Sequence, residues 1–510
     1  MKPRATFLAL CLAATGLVFQ PASAEEITVA VGSGFTTLDP YDATDMLSRA
    51  AVKSIYEGLF TFDQNMKPVP QLAESYETSP DGLVYTIKLR PNVKFHDGTT
   101  LDADAVKLNI DRLLDPANHL SRRTYFTPIE KVEVADPLTV RITLKHPLGT
   151  FLSRLANGTV QMVCPSLLKS GKDVAFNACG TGPYVLKDYN PSERLYVVKN
   201  PNYRVAGLPK LDGILWRPVV ENSTRAAMVR TGEAQFAHPM PAEQIKVLQN
   251  DPKIDILVQP SVIVRYLFIN NLQKPFTDVR VRQAINYAIN KEALAKVAFS
   301  GYARPVTGVV PEVFEFATKL GPWPYDPKKA RELLKEAGYP QGFETVLWSG
   351  YNNTTGQKVI QFIQQQLRQV GIRTTLRSLE AGQRVALVES VQDPMKAGMR
   401  LYYVGWSNST GEIDLAMRPL FHSESWAPAL ANEGFYKNEK VDRLLDEAIA
   451  EPDKAKRAKL YEEVQSTIWN DAPWAFLVTE DVTGATVKNL KNFRLRPDSS
   501  YDFYEAELVK

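Results

Sequence analysis

Along the chain the spacing of apolar residues changes several times, and each change marks an element. Residues 27–31 form a short apolar run ending at Gly32-Ser33-Gly34, which predicts a buried strand entering a turn. Residues 46–60 repeat apolar positions at helical spacing. Leu83, Tyr85, Ile87 and Leu89 alternate with polar or small neighbours, and Leu138, Val140, Ile142 and Leu144 alternate with Thr139, Arg141, Thr143 and Lys145. Both patterns predict half-buried strands. Between them Val106, Ile110, Leu113 and Leu114 keep helical spacing behind Asp102, whose carboxylate suits an N-cap.

Short strands and turns are predicted after Gly180-Thr181-Gly182-Pro183-Tyr184, then a helix over 222–232 before Ala234-Gln235-Phe236-Ala237. A strand at 266–270 leads into a helical stretch over 279–299. The best-marked helix opens with Asp326-Pro327, buries Ala330, Leu333, Leu334 and Ala337, and stops at Gly338. Another places Val359, Phe362, Ile363, Leu367 and Val370 on one face and runs to Gly371, after which Ile372, Thr374 and Leu376 alternate as a strand. The pattern is that of an α/β chain. Its 34 prolines are scattered, with no repeat or linker, so the lobes are expected to be assembled from separated segments.

The start of the chain carries a different signal. Lys2 and Arg4 precede a 13-residue apolar run, 7–19, and then Ala22-Ser23-Ala24. A spanning helix needs about 20 apolar residues, so the pattern predicts a secretory signal cleaved after Ala24. Cys11 lies inside the apolar run behind the bulky Leu10, which argues against a lipid anchor. Cleavage leaves 486 residues with net charge +1, more chain than one core commonly holds, so two or three lobes are expected. Charges of both signs are interspersed, which implies neither a nucleic-acid nor an anionic-membrane partner. Cys164 and Cys179 stand 15 positions apart. In an oxidising compartment they would close a loop worth about 3 kcal/mol, and two buried thiols are the alternative.

Catalytic spacing is missing. Gly32-Ser33-Gly34 lacks both a third glycine at phosphate-loop spacing and a following Gly-Lys-Ser/Thr, and the chain contains no H-E-x-x-H, C-x-x-C or G-x-S-x-G. His96, His119, His146, His238 and His422 stand far apart. A triad can assemble from distant residues, but no acid/base couple is nominated.

Leu72-Ala73-Glu74-Ser75-Tyr76, then Asp81-Gly82-Leu83-Val84-Tyr85-Thr86-Ile87-Lys88-Leu89-Arg90 and Lys94-Phe95-His96-Asp97-Gly98, resemble the signature of the peptide and nickel class of ABC-importer binding proteins. The similarity continues through Gly180-Thr181-Gly182-Pro183-Tyr184, Val279-Arg280-Val281-Arg282-Gln283-Ala284 and the helix behind Asp326. Within that class, the 31–42 stretch, Thr231-Gly232-Glu233-Ala234-Gln235-Phe236-Ala237 and Gly405-Trp406-Ser407 with Ser409-Thr410-Gly411-Glu412 resemble the glutathione-binding branch. The resemblance implies an α/β fold of the periplasmic binding protein-like II type, three-lobed, with discontinuous lobes and a hinged ligand cleft. It divides the chain into lobe I (25–57, 180–269 and 481–510), an accessory lobe II (58–179) and lobe III (270–480). It further implies a periplasmic monomer that hands a small peptide to importer permease subunits, without cofactor, metal or catalysis.

The resemblance also nominates site residues. Dipeptide binders of the class hold the ligand ammonium with an aspartate after the Gly-Trp pair, where this chain has Ser409, and the ligand carboxylate with an arginine where this chain has Gly350. Ordinary dipeptides would therefore lose both ionic anchors, and a buried charge without a partner costs several kcal/mol. Glutathione is γ-linked and carries two carboxylates against one ammonium, so it needs an extra cation. Arg122, Arg265 and Arg384 are the candidates, because a guanidinium grips a carboxylate with two N–H groups. Glu412 or Asp414 would take the ammonium, Trp406 would supply an apolar wall, and Phe35, Thr36 and Thr37 lie on the turn the class places at the cleft. Three other readings remain. A nickel-chelate binder's arginine matches Thr159, a haem carrier would use His238 or His422, and a peptidase on the same fold is not rejected by fold alone.

Overall fold

The computed structural model describes residues 25–509 apart from 44, 64–66, 159, 409 and 410. The signal segment expected over 1–24, and with it Cys11, lies outside the described residues.

An eleven-stranded mixed sheet organises the molecule. Two long antiparallel strands, Ile254–Ile269 and Trp474–Val487, run beside each other from Ile254 against Val487 to Phe268 against Trp474. At one end the second of them pairs with Phe236–His238, which leads to the parallel strands Glu26–Val31 and Gly213–Pro218. At the other end Ile254–Ile269 pairs with Leu401–Ser407, followed by the parallel strands Phe343–Ser349 and Ile372–Ser378. The two halves are therefore joined through one pair of strands.

The ladder is interrupted at the joint. Register shifts between Pro260 and Val264, where Pro260 has no N–H to donate. The Ser261 hydroxyl bridges the gap, donating to the Glu480 carbonyl at 2.6 Å and accepting from the Ile263 N–H at 3.0 Å.

A separate four-stranded sheet, Ala73–Thr78, Val84–Leu89, Thr139–Leu144 and Ile129–Asp136, forms the accessory layer with the helix Ala103–Leu114. It shares one core with the first half, in which Ile87, Val106 and Ile142 belong with Val29, Val31 and Trp216. Around the second half, alternate strand residues enter different cores, as a pleat requires: Tyr266, Phe268 and Tyr402 on one face, Leu267, Ile269, Leu401 and Tyr403 on the other. Cys164 and Cys179 form a disulfide with 5.5 Å between their Cα atoms.

The capped helices follow the sequence pattern. Asp102 accepts from the Ala105 N–H at 2.8 Å, Asp326 accepts from the Lys329 N–H at 2.9 Å, and Gly338 ends the second helix with φ +90°. Three predicted elements differ. The helix expected over 46–60 ends at Val52, because Gly58 bridges to Gln161 and a Cβ there would lie 2.8 Å from the Val160 carbonyl. The stretch 279–299 is two helices, Val279–Ala288 and Lys291–Phe299, broken where Asn290 caps the second. The strand at 266–270 is the end of a 16-residue strand whose Pro260-Ser261 interruption hides its length.

Candidate ligand-binding site

The turn after Glu26–Val31 folds closely onto Pro191. A Cβ on Gly34 would lie 2.7 Å from the Pro191 carbonyl, which also accepts from the Phe35 N–H at 2.9 Å. Phe35 is buried beside Tyr189, and the buried Thr37 hydroxyl accepts from the Asp39 N–H at 3.0 Å, so both side chains hold the turn. Thr36 alone of the three points outward, with its hydroxyl on Asp45 and its N–H on the Ser48 hydroxyl. Asp45 caps the helix Met46–Val52 through the Ser48 N–H. Burial acts to raise its carboxyl, but bonds from Ser48 and Thr36 and the nearby Arg49 outweigh that and hold it below the usual range.

One turn along that helix stands Arg49. Burial, and next the like charge of Arg122, lower its proton affinity, opposed by Asp498, Asp45 and Tyr125. Arg122 is 8% exposed. Its Nη2 donates to the Ala43 carbonyl at 3.0 Å and its guanidinium lies 5.7 Å from the centre of the Tyr125 ring. Its Nε has no hydrogen-bond partner and, among the described residues, no carboxylate pairs with it. Arg154 follows on the other side of Tyr125, donating to that residue's carbonyl at 2.9 Å and to Glu412 at 3.2 Å. This last contact crosses from the accessory segment to the far half of the molecule, as does the Gly149 N–H to the Ile449 carbonyl at 2.9 Å.

The strand Leu401–Ser407 supplies the opposite wall. Trp406 packs beside the core that holds Tyr402, and its buried indole N–H has no partner. Val264 pairs with both Trp406 and Thr479, and Thr479 lines a cavity of about 730 Å³ with Ser261, Val306, Phe314 and Pro497. None of the nominated residues lines it. Ser409 lies outside the described residues, but Asn408 is tied to the Glu412 carbonyl at 2.7 Å.

Residues 67–428 match the model of the bacterial extracellular solute-binding proteins, family 5 middle region. The chain belongs to this family. Its relatives include the glutathione-binding protein GsiB of Escherichia coli strain K12, 50% identical over 506 residues that cover 99% of each chain. The glutathione-binding protein GsiB of Pectobacterium atrosepticum is 51% identical over 489 residues, 96% of this chain and 95% of that one. Among solved structures, the periplasmic binding protein DppA of Helicobacter pylori in complex with the peptide STSA is 28% identical, with TM-score 0.75 over 95% of this chain and 98% of that one. The substrate-binding protein CtaP of Listeria monocytogenes shares the fold at TM-score 0.86 over 96% of this chain and all of that one, with 24% identity.

The remaining nominated residues differ in their internal partners. Arg265 is taken: its Nε and Nη2 each meet Glu480 at 2.9 Å, and its guanidinium stacks 4.7 Å from the Tyr351 ring centre. Asp414 is taken by Arg418, at 2.9 and 3.1 Å. Glu412 is engaged by Arg154, and burial, with Asp414 nearby, raises its carboxyl against that cation. Each of these three charges has a counter-charge inside the protein. Arg384 also has an internal counter-charge, its Nε meeting Glu389 at 2.7 Å, while among the described residues its two terminal nitrogens make no hydrogen bond. It lies against Gly350, where a Cβ would stand 3.5 Å from its Cδ and 2.5 Å from the Tyr402 hydroxyl.

The two histidines of the haem reading differ in their partners: His238 is bonded through Nδ1, and among the described residues the buried Nε2 of His422 makes no hydrogen bond. Buried His238 bonds the Thr483 carbonyl at 3.0 Å, and burial pushes its imidazole down to about 4. The Nδ1 of His422 accepts from the Glu424 N–H at 3.2 Å. The nickel-chelate comparison rests on Thr159, which lies outside the described residues. Sequence reasoning missed Arg49, Arg154, Tyr402 and Glu433. None stands in a motif, and only the fold shows their surroundings.

Proposed function

We propose that this chain is the periplasmic solute-binding component of an ABC importer, that it binds glutathione, and that it performs no chemistry on it. The observation that carries the ligand assignment is Arg122, a nearly buried guanidinium with no carboxylate partner among the described residues. A buried charge is costly until it is paired, and a ligand carboxylate entering beside Thr36 would pair it. Arg49 reinforces the positive field there. The full-length relatives called glutathione-binding proteins support the same ligand.

In this reading the lobes are 25–57 with 180–269 and 481–510, then 58–179, and 270–480. They close about the interrupted ladder at Pro260–Val264, with the Arg154–Glu412 contact made on closure. No helix among the described residues is long and apolar enough to cross a membrane, which agrees with a protein released into the periplasm by its signal segment.

Isothermal titration calorimetry of the mature protein tests the assignment. Arg122→Met keeps the apolar stem but removes the charge. It should weaken glutathione binding by about 10- to 100-fold, the worth of one charge-assisted hydrogen-bonded contact. The thermal midpoint of the ligand-free protein should hold or rise, because the variant loses a charge with no counter-ion. Unchanged affinity would remove Arg122 from the site.

A further inference from the structure

We propose that Glu433 and the Tyr402 hydroxyl receive the ligand's ammonium, and that Arg384 beside them receives the carboxylate on the same carbon. The assignment rests on the reading of the ligand as glutathione, whose γ-glutamyl end carries both groups.

Glu433 is 8% exposed, and its Oε2 has no hydrogen-bond partner. Among the described residues no cation pairs with it, since the nearby Arg384 is held by Glu389. Its backbone stands on a rigid turn. Asn432 donates to the carbonyls of His422 and Tyr436 at 3.1 and 2.9 Å and accepts from the Tyr436 N–H at 3.1 Å, and the Gly434 carbonyl accepts from the Asn271 N–H at 2.9 Å. The backbone that carries Glu433 is therefore held on both sides.

Tyr402 is fully buried, and its hydroxyl also lacks a partner. Glu433 has the largest effect of the charged groups acting on it and on Tyr266, and both tyrosines belong to the core against which Trp406 packs. An ammonium has three N–H donors and no acceptor. Glu433 and the Tyr402 oxygen offer it two acceptors, and the terminal nitrogens of Arg384 offer the adjoining carboxylate its donors. Gly350 leaves the room: a side chain there would meet both the Tyr402 hydroxyl and Arg384. Tyr402 and Trp406 stand four positions apart on one strand, about 13 Å.

The charged and titratable groups facing Glu433 are Glu389, Arg384, Tyr402 and Tyr266. Burial, and then Glu389, push its carboxyl up to about 8 against the pull of Arg384. Glu433 is thus a neutral acid at pH 7 when no cation pairs with it, and an arriving ammonium would ionise it and release its proton.

The test crosses two ligands with two proteins by calorimetry: glutathione and its des-amino analogue, glutaryl-cysteinyl-glycine, against wild type and Glu433→Gln. Wild type should prefer glutathione by about 10- to 100-fold. Glu433→Gln should lose that preference by weakening glutathione binding while leaving the analogue unchanged. A variant that keeps the full preference overturns the assignment, and so does a wild-type protein that binds both ligands equally. If glutathione fails to bind wild type at all, the reading of the ligand falls and this assignment falls with it, an outcome distinct from the other two. Should the variant fold poorly by circular dichroism, wild type alone decides. Titrations at pH 7 in buffers of different ionisation heat should show release of about one proton per glutathione and none with the analogue, and equal proton exchange with both overturns the proposal.

Discussion

At the scale of single residues, the proposed site turns on how far each charge is already paired. Arg265, Asp414 and Glu412 each meet an internal counter-charge, Arg384 meets Glu389 through Nε, and Arg122 and Glu433 keep buried polar atoms with no partner among the described residues. Two predictions belong here. Gly350→Arg, which restores the residue found in dipeptide binders of the class, would drive a side chain into the Tyr402 hydroxyl and Arg384. It should destabilise the protein by about 1–3 kcal/mol, read from the urea midpoint, without creating dipeptide affinity. The second concerns pH. The Glu433 carboxyl titrates near 8 in the folded protein against an ordinary 4.5. Its contribution to stability is therefore full below about 4.5 and is lost as pH rises through 8. Urea unfolding of the ligand-free protein across pH 5 to 8 should show a steeper decline for wild type than for Glu433→Gln, and parallel curves would contradict the raised carboxyl.

At the scale of elements, the joint between the halves depends on Ser261 standing in for missing ladder bonds at Pro260. Ser261→Ala should cost about 1–3 kcal/mol, since it leaves a buried carbonyl and an N–H without that hydroxyl. An unchanged urea midpoint would show that the joint does not need it. Elements specified locally were legible in the sequence: Asp102 and Asp326 cap where predicted, and Gly338 stops its helix. Elements specified by distant partners were not. The helix after Asp45 is cut short by the contact of Gly58 with residues 160 and 161, a hundred positions away. The proposed site divides in the same way. Thr36, Arg122, Arg384 and Trp406 are nominated through resemblance to a family, whereas Glu433 and Tyr402 are visible only as buried polar groups lacking partners.

At the scale of the whole molecule, one sheet runs through both halves, and the accessory layer reaches the far half through Arg154 and Gly149. A ligand bridging Arg122 on one side and Trp406, Arg384 and Glu433 on the other would bind both halves at once, and its affinity would favour the closed arrangement. The central claim is that this arrangement selects a peptide with two carboxylates and a displaced ammonium over an ordinary dipeptide. Calorimetric comparison of glutathione with cysteinylglycine on the mature wild-type protein tests it most directly. We expect one glutathione bound per chain and cysteinylglycine weaker by about 100-fold or more, about 3 kcal/mol for a lost charge-assisted contact. Equal affinity for the two peptides, or no heat with glutathione, would contradict the account.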